Sequence, residues 1–105
     1  MYAMIRRYNP KGAWDRKTLD DFKQRIEGKF VPRVQDIRGF HSYYVVNAGE
    51  RDLVTIGIFE DQAGATESSR RVVDFVKNNP VKDQLGTPQY IEGELLISRE
   101  APVTA

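Results

Sequence analysis

The sequence predicts a single α+β domain in the order strand, helix, strand, strand, helix, strand, with the four strands in one antiparallel sheet. Three observations carry that prediction. Two stretches repeat apolar residues at helical spacing, and four are rich in aromatic and β-branched residues. Turn signals such as Asn9-Pro10 and Asn78-Asn79-Pro80 separate them.

Each element has a local cause. Residues 2–8 form the first strand, which stops at Asn9-Pro10. Residues 11–14 are a loop. Leu19, Phe22, Ile26, Phe30, Val34 and Ile37 are spaced as one stripe of an amphipathic helix, with Asp15 or Thr18 to cap its start. Pro32 lies inside the stripe. It lacks an N–H and crowds the preceding turn, which predicts a kink near Lys29 or a short second helix from Pro32. Gly39 is placed to end that helix.

Residues 40–47 form the second strand, driven by Tyr43, Tyr44, Val45 and Val46. Residues 48–51 make a turn, and residues 52–59 return as the third strand of a hairpin. Residues 60–79 form the second long helix. Its buried stripe is Ala65, Ser69, Val72 and Val76, widened by Val73 and Phe75. Residues 81–85 add a helical turn, and residues 89–99 form the last strand. The domain is expected to span residues 1–99, with 100–105 a loose tail.

The third strand predicts more than itself. In Leu53-Val54-Thr55-Ile56-Gly57-Ile58-Phe59 both faces are apolar, whereas a sheet with one wet face should alternate. The last strand is similar, with Ile91, Leu95 and Ile97 on one face and Tyr90 and Leu96 on the other. Two helices cover one face of such a sheet. A second copy of the chain is the expected cover for the other, so a homodimer is predicted.

Composition bounds the function. The 105 residues suit one modest core, with 40% apolar and 30% charged residues. Sixteen basic against fifteen acidic residues leave a net charge of +1, which favours neither a nucleic acid nor a membrane surface as partner. No cysteine is present, so thiolate chemistry and disulfides are excluded. The first residues are too short and polar a run for a signal peptide, and no apolar stretch approaches the roughly 20 residues of a membrane span. A cytoplasmic protein is expected. No phosphate loop, nucleophile elbow or zinc spacing occurs, and neither a metal nor a cofactor is expected. Gly57 and Gly93 stand alone and suit strand curvature or close approach.

Several segments match a known group. Pro32-Arg33-Val34-Gln35-Asp36-Ile37-Arg38-Gly39-Phe40 looks like a kinked helix end followed by Gly-Phe. Ser42-Tyr43-Tyr44 follows on the second strand. Ile58-Phe59-Glu60-Asp61 then leads into Ala63-Gly64-Ala65-Thr66-Glu67-Ser68 at the second helix. In these segments and in layout the chain resembles the dimeric α+β barrel superfamily, built on a ferredoxin-like βαββαβ unit, and within it the antibiotic-biosynthesis-monooxygenase-like proteins. The resemblance implies a homodimer and a small aromatic ligand. Activities in that group include cofactor-independent oxygenation of polycyclic phenols, haem degradation and muconolactone isomerisation. The haem-degrading branch uses an Asn on the first strand and a Trp and a His near the second helix. Here Asn9 lies beyond the first strand, and the lone Trp14 and lone His41 lie elsewhere. That departure argues against haem degradation.

The candidate site residues follow. Histidine is the side chain type that ordinarily titrates near neutrality, and His41 is the single one here. It is the candidate general base towards a phenolic substrate, against the plainer reading of a packed or exposed strand-start residue. Tyr43 and Tyr44 are adjacent on a strand, so only one can line a given cavity. With Tyr90, Thr55 and Ser42 they supply hydroxyls for an apolar, aromatic-binding pocket, or else fill core and interface. Trp14 is a candidate lid, or a staple of the helix start. Glu92 and Glu94 share a strand face but have no third ligand nearby, so a solvated edge or a dimer-rim ion pair is expected. Arg6-Arg7 and Arg70-Arg71 are expected as surface charges. Residues 38–45 faintly echo the octamer of RNA-recognition domains, but on the wrong strand and with His41 and Ser42 at mismatched positions. No nucleic acid is expected.

Overall fold

The computed structural model describes residues 1–9, 15–49, 52–78 and 86–102. Its elements run β1 (Tyr2–Tyr8), α1 (Arg16–Arg25), a wide helical turn (Ile26–Phe30), α2 (Val31–Gln35), β2 (Phe40–Asn47), β3 (Leu53–Phe59), α3 (Gln62–Lys77) and β4 (Gln89–Glu94). The strands lie in the order β2-β3-β1-β4, and every neighbouring pair is antiparallel. This is the α+β, ferredoxin-like arrangement that the sequence predicts. The loop carrying Trp14, the hairpin tip and the helical turn expected at 81–85 lie outside the described residues.

The first helical stripe is buried as its spacing requires. Phe22, Ile26, Phe30, Val34 and Ile37 all enter the core. Successive steps of four residues drift around a helix of 3.6 residues per turn. The chain absorbs the drift by widening the turn before Pro32: Val31 donates its N–H to the Ile26 carbonyl, five residues back. Asp15 caps α1 by accepting from the Thr18 N–H at 2.7 Å, and Asp61 caps α3 by accepting from the Gly64 N–H at 3.0 Å. Gly39 has φ +85 but stands beyond the helix end, inside the turn closed by the Phe40 N–H on the Ile37 carbonyl. The cap of α2 is Asp36.

Three expectations shift. The last strand ends at Glu94, and Leu95 to Ile97 run on outside the sheet ladder. Only the Leu95 N–H, on the Met1 carbonyl at 2.8 Å, continues the pairing. In α3, Ser68 is fully buried, Ser69 is half-buried and Val73 is exposed. Arg6, expected at the surface, has no exposed area at all.

Register sorts the sheet into two faces. On the inner face, rows such as Tyr43–Gly57–Met4–Glu92 and Val45–Thr55–Arg6–Tyr90 cross all four strands beneath the helices. A Cβ on Gly57 would stand 2.8 Å from the Phe59 ring and 3.5 Å from that of Tyr43, so the glycine allows that close approach. The outer face carries the row Tyr44–Ile56–Ile5–Ile91. Tyr44 and Ile91 in that row are 56% and 62% exposed. All three helices contribute to the core on the inner face, so nothing in the chain's described residues covers the outer one.

Candidate functional site

The inner face and the helices do not close on each other completely. A narrow apolar waist of about 20 Å³ is lined by Tyr8, Phe22, Phe30, Tyr43, Thr55 and Phe75, among others. It opens on one side into a lobe of about 390 Å³ between α1 and β2, sharing Phe22, Ile26, Tyr43 and Val45. On the other side lies a lobe of about 340 Å³ between α3 and β4, sharing Tyr8, Val72 and Val76. The aromatic rings brace one another. Phe30 stands edge-on to Tyr43 at 5.8 Å between centroids and 5.2 Å from Phe75.

A polar group is buried behind this lining, with no exposed area and bordering none of the three cavities. Arg6 lies on the central strand β1, with Thr55 on one side and Tyr90 on the other. Its Nη2 donates to Ser68 Oγ at 2.8 Å and to Ser69 Oγ at 3.1 Å. Ser68 Oγ donates in turn to the Ala65 carbonyl at 2.6 Å, which turns its lone pairs towards the guanidinium. Arg6 Nε, Arg6 Nη1 and Thr55 Oγ1 are buried and make no close hydrogen bond, although the Tyr43 phenol interacts with both side chains. Burial pushes the Tyr8 phenol far above its ordinary pKa, with Arg6 pulling it the other way. Burial likewise raises Tyr43, against Arg6 and Thr55, which pull it down. Both phenols therefore stay protonated at neutral pH and act as donors or weak acceptors, not as bases.

The structure brings together Tyr43 and Thr55 in the waist and Tyr90 in the second lobe. It does not bring the others there. Tyr44 and Ser42 belong to the outer-face rows. His41 is the extra residue of a β-bulge between Phe40 and Ser42; it is exposed, and its Nδ1 lies 3.2 Å from Ser42 Oγ. Glu92 and Glu94 are exposed, and no three metal-ligating side chains cluster among the described residues. Trp14 lies outside the described residues. Arg6 is the residue that sequence reasoning missed. Its signal was strand parity: Met4 and Tyr8, two residues either side, are core, so Arg6 shares their face.

No protein-family model matches the chain, and no curated protein matches it in sequence. Solved structures match its fold over nearly the whole length. MhuD, in a variant carrying two manganese protoporphyrin IX molecules per active site, superposes with a TM-score of 0.71 at 10% identity, covering 96% of this chain and 100% of that one. The monooxygenase ActVA-Orf6 of Streptomyces coelicolor, in complex with nanaomycin D, gives 0.62 at 15%, covering 99% and 92%. A dimeric ferredoxin-like protein from an uncultured marine organism gives 0.68 at 9%, covering 95% and 98%. The chain thus has the ferredoxin-like α+β fold that these structures share, as the residue patterns predict. At these identities the likeness defines architecture, not activity.

Proposed function

We propose that this protein is a homodimer joined through the outer faces of its sheets, with a site for a planar aromatic molecule between the sheet and helices of each protomer. The observation that supports it most is the aromatic-walled waist with a lobe on either side, whose lining is apolar apart from a few hydroxyls and lobe-rim charges. The reaction we propose is cofactor-independent oxygenation of an electron-rich ring. A ring CH2 and O2 would yield a ring carbonyl and water, so the substrate itself supplies both hydrogens and the electrons.

His41→Ala tests the base assignment. The exposed bulge position of His41 favours a second reading, in which the cavity binds its ligand without transforming it. One experiment separates the two. Anthrone is added to the protein while dissolved oxygen is followed, and binding is followed in parallel by protein fluorescence. Oxygen consumption above the buffer rate supports the enzyme, and consumption unchanged in His41→Ala removes the histidine from the mechanism. Saturable binding without consumption supports the carrier. Val45→Trp, which fills the junction of waist and lobe, is expected to weaken binding at least about tenfold. Undiminished binding in that variant would place the ligand elsewhere.

A further inference from the structure

We infer that the waist of the cavity is a pocket for dioxygen, and that an aromatic ring seated in either adjoining lobe lies against it. The inference rests on the oxygenation reading above and adds where the second reactant is held.

Size separates the waist from its lobes. The waist measures about 20 Å³, whereas pockets for drug-sized molecules run to about 300–1,000 Å³. The lobes, at about 390 and 340 Å³, reach that range. A ring therefore fits a lobe and not the waist. The waist still exceeds the roughly 10–15 Å³ that one water-sized molecule needs, so a diatomic gas fits it. Polarity then separates dioxygen from water. The lining is almost wholly hydrocarbon, from Phe22, Phe30, Val72 and Phe75 among others, and Thr55 Oγ1 is buried. A trapped water needs about two to four polar partners, and apolar cavities without them stay dry and take up apolar guests such as xenon. Dioxygen makes no such demand and gains dispersion contacts with the polarisable rings.

The space is braced, and it is placed where a reactant is needed. Phe30 packs against Tyr43 of the sheet and Phe75 of α3, at 5.8 and 5.2 Å between ring centroids. The waist shares Phe22, Ile26, Tyr43 and Val45 with one lobe, and Tyr8, Val72 and Val76 with the other. Whichever lobe holds the ring, the inner end of that lobe meets the waist. Holding the two reactants side by side removes much of the entropic cost of their encounter.

A mere packing flaw would admit dioxygen no more than the surrounding core does, and NMR relaxation distinguishes the two. Dissolved dioxygen is paramagnetic and speeds the relaxation of nearby protons. Thr55 and Val72 are buried and line the waist; Val34 is buried and does not. Under oxygen pressure, the relaxation enhancement at the Thr55 and Val72 methyls is expected to exceed that at the Val34 methyls at least about twofold. A soluble gadolinium chelate, too large for the waist, should affect neither. Equal enhancement at Val34, or a chelate effect that mirrors that of oxygen, overturns the proposal. Thr55→Ile adds carbon to the waist and spares the residues that line the lobes. It should bring the Val72 enhancement down to that of Val34. With anthrone, it should raise the KM for oxygen at least about threefold and change the KM for anthrone by less than about twofold. An unchanged KM for oxygen overturns the proposal, because the reacting molecule is then held elsewhere. If Thr55→Ile does not fold, the wild-type comparison with Val34 decides alone. If the wild-type protein consumes no oxygen with anthrone, the enzyme reading above falls, and the relaxation enhancement decides the pocket by itself.

Discussion

At the scale of single residues, two arginines one position apart in β1 have opposite fates. Arg7 is exposed and pairs with Asp52 at 3.0 Å. Arg6 is sealed beneath α3, donating to Ser68 and Ser69. Composition assigns both to the surface, since arginine is almost never fully buried unless paired. Strand parity assigns them to different faces, and parity prevails because a residue on a paired strand cannot rotate out of its register. A second residue-scale feature is the Glu67 carboxylate. Its hydrogen bonds from Arg70 and Arg71 lower its pKa from 4.5 to about 2. Arg71 also reaches the Arg33 carbonyl and lies 3.8 Å from Asp36, so the group links α3 to α2. A depressed folded-state pKa means stability that is fully present above 4.5 and is lost as pH falls through about 2. Glu67→Gln should accordingly lower Tm at pH 6 and lower it far less at pH 2, where most of the carboxylate's contribution is already lost. A Tm difference that is equal at both pH values would remove this carboxylate from the acid response.

At the scale of elements, the wide turn of Ile26–Phe30 is the least regular piece of structure and the most informative. Pro32 and the run of four-residue apolar steps both demand a departure from the ideal helix, and one widened turn answers both. Gly28 sits in this turn, with open space where a Cβ would be. Its backbone is not in the left-handed region. Gly28→Ala should therefore stabilise the protein by about 0.5–1 kcal/mol, through the conformational freedom taken from the unfolded chain. Urea unfolding measures it, and a destabilised variant would show that the turn needs its glycine. Helix stripes, caps and the hairpin were legible from spacing alone. The end of β4 was not: Leu95, Leu96 and Ile97 have strand character, but the ladder with β1 stops at the Tyr2–Glu94 pair.

At the scale of the whole molecule, the outer face sets the requirement. The row Tyr44–Ile56–Ile5–Ile91 runs across the sheet, and Leu96 and Ile97 beyond it are 85% and 82% exposed. Apolar surface of this kind marks an interaction site, and the proposed second copy would cover it about a two-fold axis. Light scattering during size exclusion should give the mass of two chains at micromolar concentration. Ile91→Asp places a charge in the middle of that row and should give the mass of one. A wild-type protein that elutes as a monomer would end the dimer proposal, although the cavity, on the opposite face, would stand.

The sequence by itself determined the order of elements, the kink before Pro32, the doubly apolar third strand and the separation of Tyr43 from Tyr44. These depend on spacing within one segment, and a segment carries its own period wherever it packs. Tertiary structure alone decided which face of each strand meets the helices, that His41 is the displaced residue of a bulge and that Arg6 meets Ser68 and Ser69 across the core. Those depend on register and on contacts between residues some sixty positions apart, such as Arg6 with Ser68. No local pattern encodes such contacts, and they fix how α3 lies on the sheet beside the candidate site.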